Sequence, residues 1–352
     1  METKVVKVNP DAIDQRQITA AAFILEKGGL VAFPTETVYG IAVNLLNGAA
    51  VDRLKVLKER SPDKQFSIHI ADSRDVERYA IEVLPRAYKV MSHFWPGPLT
   101  IVLAAPGEKT IGLRMPKHDV ALRLLSSVDF PVIAPSANLA GHNAPRDAET
   151  VLQELSGRIE MVLDAGPTPL GVESTVLDAR KLPFTVLRQG SLKSQDLLKV
   201  VNQKTILFVC TGNSCRSVMA EYLMKKYIKD NSRSDLDVSS AGTFAFFGMG
   251  PTHETQHLVG AEGMDASAHH AQRVSAQNLR QADFVLCMER RHQEDLIRQF
   301  PSAKSRIHLF GEFVRLEPLD NEVEDPIGKF EDFYKGVFLK IKKAVAKLGE
   351  ML

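Results

Sequence analysis

The sequence predicts an α/β protein built from two different folds. The N-terminal part reads as a twisted mixed sheet with helices, and the C-terminal part as a doubly wound parallel sheet. Three observations carry this. The chain has 352 residues, and at roughly 100–200 residues per domain that length favours two domains. Short apolar strands crowd the first 190 positions, with few helical patterns after residue 100, which fits a mixed sheet better than a βαβ repeat. Past residue 204 strands and helices alternate, as in a parallel sheet covered on both faces.

In chain order, Ile18–Lys27 has helical spacing and stops at Gly28-Gly29, a helix-end signal. Leu30–Thr35 reads as a buried strand. Ala49–Glu59 alternates apolar and charged residues at helical period, and Phe66–Ala71 is a strand. Helices at Asp75–Ile81 and Pro85–Phe94 lead to strands at Leu99–Ala105, Ile111–Met115 and Pro131–Pro135. Short strands recur at Ile159–Asp164, Ser174–Asp178 and Phe184–Arg188. Ser191–Gln203 reads as a short helix and link, which places the domains at 1–198 and 204–352. Beyond it come a strand at Thr205–Cys210, a polar loop at Thr211–Cys215 and a helix at Arg216–Lys229. Helices at Thr252–Glu262, Ser275–Gln281 and Arg290–Phe300 alternate with strands at Phe284–Met288 and Ile307–Leu309. An amphipathic helix closes the chain at Glu331–Leu348.

Composition bounds the function. With 44% hydrophobic and 25% charged residues, disordered and collagen-like classes are excluded. No run of about 18 apolar residues is present, so no membrane-spanning helix is expected, and Met1–Pro10 lacks a secretory pattern. Three cysteines cannot form a disulfide framework and fit a reducing cytoplasm. Residues 1–200 carry 24 basic and 23 acidic groups and the remainder 20 of each, so neither half is a polycation and a broad nucleic-acid surface is not expected.

The sharpest local signal is Cys210-Thr211-Gly212-Asn213-Ser214-Cys215-Arg216-Ser217, between an apolar strand and a helix. A loop at that junction turns successive backbone N–H groups inward and adds a helix N-terminus, which makes an anion site. Gly212 and Asn213 tolerate the positive φ such a loop demands. Cys210 opens the loop, and the field that holds phosphate also favours a thiolate. Arg216 offers a planar fork for two phosphate oxygens, and Ser217 is placed to hydrogen-bond the sulfur. Asp325-Pro326, in an acidic loop, supplies the proton that a leaving group needs. A buried cysteine beside a solvated loop is the commoner meaning of one cysteine; the spacing, loop chemistry and strand–helix context together outweigh it.

Residues 204–352 resemble the low-molecular-weight protein tyrosine phosphatases, through Val209-Cys210 to Ser217, Met219-Ala220-Glu221, Ser240-Ala241-Gly242, Ala282-Asp283 and Asp325-Pro326. The resemblance implies a four-stranded doubly wound parallel sheet and hydrolysis of a phosphorylated protein. It makes Cys210 the nucleophile, Arg216 the phosphate clamp and Asp325 the general acid. Thr211, Gly212, Asn213, Ser214, Cys215 and Ser217 become the phosphate loop, and Cys215 the thiol that traps oxidised Cys210 in a reversible disulfide. Ser214 stands where tyrosine-specific members usually have an apolar residue, and Ile327 where they have an aromatic. In this the chain is similar to the protein-arginine phosphatases.

The N-terminal signals are individually weaker. Pro34–Gly40 is a strand-end loop whose two threonine hydroxyls and carboxylate could bind a small polar ligand or metal; a capped turn before a helix is the plainer alternative. Lys58 and Arg60 would share a face and hold polyphosphate if the chain extends there; a solvated helix end is the plainer alternative. Arg114 among apolar neighbours demands an anion partner, and His69 lies in an apolar strand as core histidines do. No phosphate-binding loop of the G-x-x-x-x-G-K-[ST] kind is present. Jointly, in order, Pro34–Gly40, Lys58-x-Arg60, His69-Ile70, Trp95–Thr100, Arg114-Met115-Pro116, Ala134–Asn138, Gly171–Asp178 and Leu187-Arg188-x-Gly190 resemble the YrdC-like threonylcarbamoyl-AMP synthase family. That family makes threonylcarbamoyl-adenylate from L-threonine, bicarbonate and ATP. The product serves a downstream tRNA threonylcarbamoyl transferase complex. The resemblance assigns Thr35, His69, Arg114 and Ser174 to threonine, and Lys58, Arg60, Ser136, Asn138 and Arg188 to ATP. Mg²⁺ is expected on the leaving pyrophosphate, without a protein cage. The competing expectation is a nucleotide- or RNA-sensing module that regulates the phosphatase without synthesis. His269-His270 reads as a surface pair and Cys287 as core.

Overall fold

The computed structural model describes residues 2–59, 66–107, 109–317 and 321–352. The chain divides into two compact units, Met1–Val200 and Val201–Leu352. The division falls inside the helix Ser194–Asn202, where a short helix and link were expected.

In the first unit the described strands are β1 (Lys4–Lys7), β2 (Val31–Phe33), β3 (Gly40–Asn44), β4 (Ile68–His69), β5 (Leu99–Ala105), β6 (Lys109–Arg114), β7 (Val132–Ile133), β8 (Met161–Asp164), β9 (Thr175–Asp178) and β10 (Thr185–Arg188). They form one sheet in the order β1-β8-β2-β3-β7-β4-β6-β5-β9-β10. Pairs such as β2–β8, β4–β6 and β5–β9 are parallel, and β2–β3, β4–β7 and β5–β6 antiparallel. The sheet is therefore mixed, as the crowding of strands predicts. The helix Gln15–Glu26 starts where the Asp14 side chain accepts from the Arg16 N–H, satisfying a donor that the first turn leaves free. Its buried residues, Ile18, Ala21, Ala22 and Leu25, recur at helical spacing and pack with Val31, Phe33, Leu124 and Met161.

Three elements correct the sequence reading. Helices at Asp119–Ser126 and Ala148–Leu155 contradict the expectation of few helices after residue 100. Each is only eight residues long, too short for periodicity to stand out, although Asp147 caps the second through the Thr150 N–H. Gly40 does not end a loop but opens β3, all of it buried.

The second unit holds β11 (Lys204–Cys210), β12 (Leu236–Gly242), β13 (Phe284–Cys287) and β14 (Ile307–Leu309), all parallel, in the order β12-β11-β13-β14. The apolar run of β11 is explained by its two covered faces. Ile206, Phe208 and Cys210 pack against helices Arg216–Asp230 and Glu331–Met351, while Leu207 and Val209 pack against Leu279, Leu296 and Ile307. Strand β12 was not anticipated: Leu-Asp-Val-Ser-Ser-Ala-Gly mixes turn residues into an edge strand. Gly242 at its end is required by close approach, since a Cβ there would lie 2.4 Å from the Thr211 carbonyl oxygen. Among the described residues no helix is long and apolar enough to cross a membrane.

Candidate functional sites

In the first unit, alternate residues of adjacent strands face one side of the sheet. Register places Thr100 opposite Arg114 and Val102 opposite Gly112, with Val176 beside Thr100. These positions floor a cavity of about 770 Å³ whose walls include Lys58, His69, Ser136, Glu173, Ser174 and Arg188. Gly112 is required there by close approach, because a Cβ would meet Ser67 Oγ at 2.6 Å.

At one end lies Arg114, 6% exposed. Its Nη2 donates to Glu36 Oε1 (3.0 Å) and Thr37 Oγ1 (2.6 Å), with Thr35 Oγ1 at 3.5 Å. Its Nε and the Nδ1 of neighbouring His69 are buried without a hydrogen-bond partner. Unpaired buried nitrogens are costly, so this end of the cavity suits a polar ligand. Burial, then the charge of Arg114, pushes the His69 imidazole down to about 3, so it is neutral at physiological pH. Ser174 Oγ bonds Thr100 Oγ1 (2.9 Å) and receives Arg188 Nη2 at 3.2 Å, while Arg188 Nη1 reaches Glu173 Oε1 at 2.8 Å. Lys58 follows the helix Gly48–Leu57, and its Nζ donates to the Ser136 and Asn138 carbonyls (3.2 and 2.8 Å) and to Asn138 Oδ1 (3.0 Å).

Six residues expected at this site therefore line one cavity: Lys58, His69, Arg114, Ser136, Ser174 and Arg188. Thr35 and Asn138 stand behind the wall, bracing Arg114 and Lys58. Arg60 lies outside the described residues. Sequence reasoning placed Glu36 and Thr37 in a loop able to bind a small polar ligand or metal, without individual roles, and gave none to Thr100 or Glu173. Glu36 was the one with a signal, since a buried arginine demands a carboxylate.

In the second unit the loop 211–215 joins β11 to the helix Arg216–Asp230. Asn213, and not Gly212, takes the positive φ, at +54°. Cys210 Sγ lies 3.0 Å from Ser217 Oγ. Asn213 Nδ2 donates to Ser217 Oγ (3.0 Å) and to Ser240 Oγ (2.7 Å), and Ser240 donates to Glu221 Oε2 at 2.5 Å. Ser217 thus accepts from Asn213 and keeps its own proton to donate toward the sulfur. Asn213 is fixed further by the Gln272 N–H (2.9 Å) and by His269 Nε2 on its carbonyl (3.0 Å). His269 is buried, not the surface residue expected.

The Arg216 side chain is 1% exposed. Nη1 donates to Glu289 Oε1 (2.6 Å) and the Val323 carbonyl (2.9 Å), and Nη2 to Asp325 Oδ2 (2.5 Å). Asp325, 109 residues from Arg216, is thereby brought to the loop that Cys210 opens. Burial, then Cys210, pushes the Cys215 thiol up to about 12, so Cys215 stays protonated at neutral pH. Cys287 is buried in β13 and its thiol is likewise shifted upward by burial. Glu289, Ser240 and His292 are the partners without an assigned role. His292 Nε2 lies 2.8 Å from Thr211 Oγ1, and burial, then Arg216, pushes that imidazole down to about 4.

His69 and His292, whose imidazoles are pushed down furthest, make stability pH-dependent. Between about pH 6.5 and 4 the unfolded chain takes up protons there that the native chain does not. Stability is full above pH 6.5 and falls with acidification, by up to about 1.4 kcal/mol per pH unit per group. Urea midpoints measured from pH 7.5 to 4.5 will fall, and His292→Gln will flatten the slope of the second unit; equal slopes would remove His292 as the cause.

A cation-bearing polar cavity on one sheet and an anion loop on the other define a chain of two enzyme domains. Residues 23–190 match the Sua5/YciO/YrdC family model, described as telomere recombination. Residues 205–352 match that of the low-molecular-weight phosphotyrosine protein phosphatases. The chain is 38% identical over 219 residues to the threonylcarbamoyl-AMP synthase of Pyrococcus abyssi, covering 60% of this chain and 64% of that protein. It is 33% identical over 195 residues to the putative threonylcarbamoyl-AMP synthase of Mycobacterium tuberculosis, covering 53% of this chain and 89% of that one. The crystal structure of Pyrococcus abyssi Sua5 complexed with L-threonine is similar, with 32% identity, TM-score 0.54, and 65% and 78% of the two chains covered. The chain spans 64%, 56% and 49% of the length of its Pyrococcus abyssi, Bacillus subtilis and Schizosaccharomyces pombe relatives. The chain belongs to the threonylcarbamoyl-AMP synthase family, and its C-terminal half is a low-molecular-weight phosphotyrosine protein phosphatase domain.

Proposed function

We propose that the chain is a bifunctional enzyme, with residues 1–198 a nucleotidyltransferase and residues 204–352 a cysteine-dependent phosphatase. The first forms L-threonylcarbamoyladenylate from L-threonine, bicarbonate and ATP. The threonine amine takes up bicarbonate carbon with loss of water, and a carbamate oxygen attacks the α-phosphorus, releasing pyrophosphate. The observation that supports this is the cavity that pairs a partnerless Arg114 Nε and His69 Nδ1 with the cations Lys58 and Arg188. Arg114 would take the amino-acid carboxylate, with Thr35, His69 and Ser174 around the rest of threonine. Lys58, Arg60, Ser136, Asn138 and Arg188 would hold ATP. Rate would come from positioning and charge stabilisation. Glu173, the carboxylate of the lining, is already paired with Arg188, so Mg²⁺ would be held mainly by the triphosphate without a protein cage, and when bound it would offset charge on the departing pyrophosphate. The product would supply the transferase complex that modifies tRNA.

In the phosphatase, Cys210 Sγ attacks phosphorus and the leaving group takes a proton from Asp325. Water then hydrolyses the phosphocysteine with Asp325 as base. Arg216 and the amides of Thr211–Ser217 hold the phosphoryl oxygens. Asp325 accepts from Arg216 Nη2, and an arriving phosphate dianion competes for that guanidinium and frees the acid. Cys215 would trap oxidised Cys210. A thiolate nucleophile suits a reducing compartment, so a cytoplasmic location belongs to this reading.

Two assays test it. Pyrophosphate release by the full chain will require both threonine and bicarbonate; nucleotide binding without turnover would favour a sensing module instead. With Ser214 in the loop and Ile327 after Asp325-Pro326, kcat/KM on a phosphoarginine peptide will exceed that on a phosphotyrosine peptide. The reverse preference would remove those two residues as specificity determinants.

A further inference from the structure

Glu36 is buried, 5% exposed, and joins three segments. Its Oε1 accepts from Arg114 Nη2 at 3.0 Å, its Oε2 from the Lys117 N–H at 3.0 Å, and its backbone carbonyl from the Leu170 N–H at 3.0 Å. Lys117 follows β6, and Leu170 lies three residues before Glu173, which with Ser174 lines the cavity. The ion pair with Arg114 is closed to solvent, both side chains 7% exposed.

The hydrogen bonds of Arg114 to Glu36, Thr37 and Thr35 all use Nη2, and Nε is left without one. A guanidinium has a fixed fork of donors, so holding Nη2 fixes where the other donors point. Glu36 accepts two hydrogen bonds with two oxygens. A carboxamide at this position would turn a donor toward either Arg114 or the Lys117 N–H, so shape alone cannot replace the charge.

We propose that Glu36 is a positioning residue for amino-acid recognition: it holds Arg114 by Nη2 so that the rest of the guanidinium is presented to the substrate carboxylate. The inference rests on the synthase reading of the first unit. Glu36 does not touch substrate; it acts through Arg114. Its loss therefore weakens recognition of the carboxylate and leaves the ATP end of the cavity intact.

The test follows pyrophosphate release by the full chain at saturating ATP and bicarbonate, with threonine and threonine methyl ester as alternative substrates. The ester keeps the reacting amine and the hydroxyl but lacks the charge that Arg114 would read. In Glu36→Gln the threonine KM will rise at least tenfold, with kcat and the ATP KM within threefold. The threonine-to-ester ratio of kcat/KM will fall at least tenfold, and Glu36→Asp, which restores the charge, will recover part of it. Should Glu36→Gln melt below the assay temperature, the ratio is read on Glu36→Asp, where a fall of at least threefold is expected. A ratio unchanged from wild type, or an equal loss for threonine, ester and ATP, overturns the inference. Wild-type enzyme that releases no pyrophosphate in response to threonine overturns the synthase reading and this inference with it.

Discussion

Cys210→Ser will lower phosphatase turnover by on the order of 10⁴-fold or more while leaving the phosphate cradle able to bind its ligand. A serine hydroxyl stays protonated where a thiolate is the competent nucleophile. The nearest side-chain partner, Ser217 Oγ at 3.0 Å, is itself committed as a donor by Asn213. The binding side is separate. Arg216 keeps Glu289 and the Val323 carbonyl, and one buried sulfur for oxygen changes the packing little. Phosphate binding by calorimetry is therefore expected within about threefold of wild type. Residual turnover above one per cent of wild type would mean that the nucleophile is another group. Retained phosphate binding serves as the folding control, because it reads the second unit, in which Cys210 lies.

Much of this site was legible because its parts are contiguous. Cys210 through Ser217 form one uninterrupted strand–loop–helix junction, and the constraints on that junction are written in adjacent residues. What supports it was not legible. Glu289 precedes the helix Arg290–Gln299 and His292 lies in its first turn, and Ser240 lies in an edge strand whose sequence resembles a turn. Each reaches the loop only through the parallel sheet order. The first unit shows the same division. Lys58, His69, Arg114, Ser136, Ser174 and Arg188 come from separate elements, and only the joint resemblance linked them before the fold placed them on one cavity. The short helices at Asp119–Ser126 and Ala148–Leu155 escaped because two turns provide too few periods to distinguish helix from loop. Their stability comes from packing, as with Leu124 against the core of β2 and β8, which no local pattern records.

Arg114→Met will abolish threonine-dependent turnover and will also destabilise the first unit by about 3–5 kcal/mol, because it leaves the Glu36 carboxylate buried without its partner. The two effects have different origins and can be separated. Adding Glu36→Gln to Arg114→Met removes the stranded charge, so the double variant should regain most of the lost urea midpoint while staying inactive with threonine. The deficit of the single variant should shrink as the pH is lowered, since proton uptake neutralises a stranded carboxylate in the native state more than in the unfolded one. This is opposite in sign to the acid loss expected from His69 and His292, so comparison with wild type at each pH is needed. A single variant as stable as wild type would mean that the buried pair contributes charge neutralisation that water supplies equally well. A double variant as unstable as the single one would place the cost in the lost hydrogen bonds to Thr37 and the Lys117 N–H, not in the charge. Either result changes what Glu36 is for. Recovery of stability without recovery of activity is what a residue kept for orientation, and not for folding, must show.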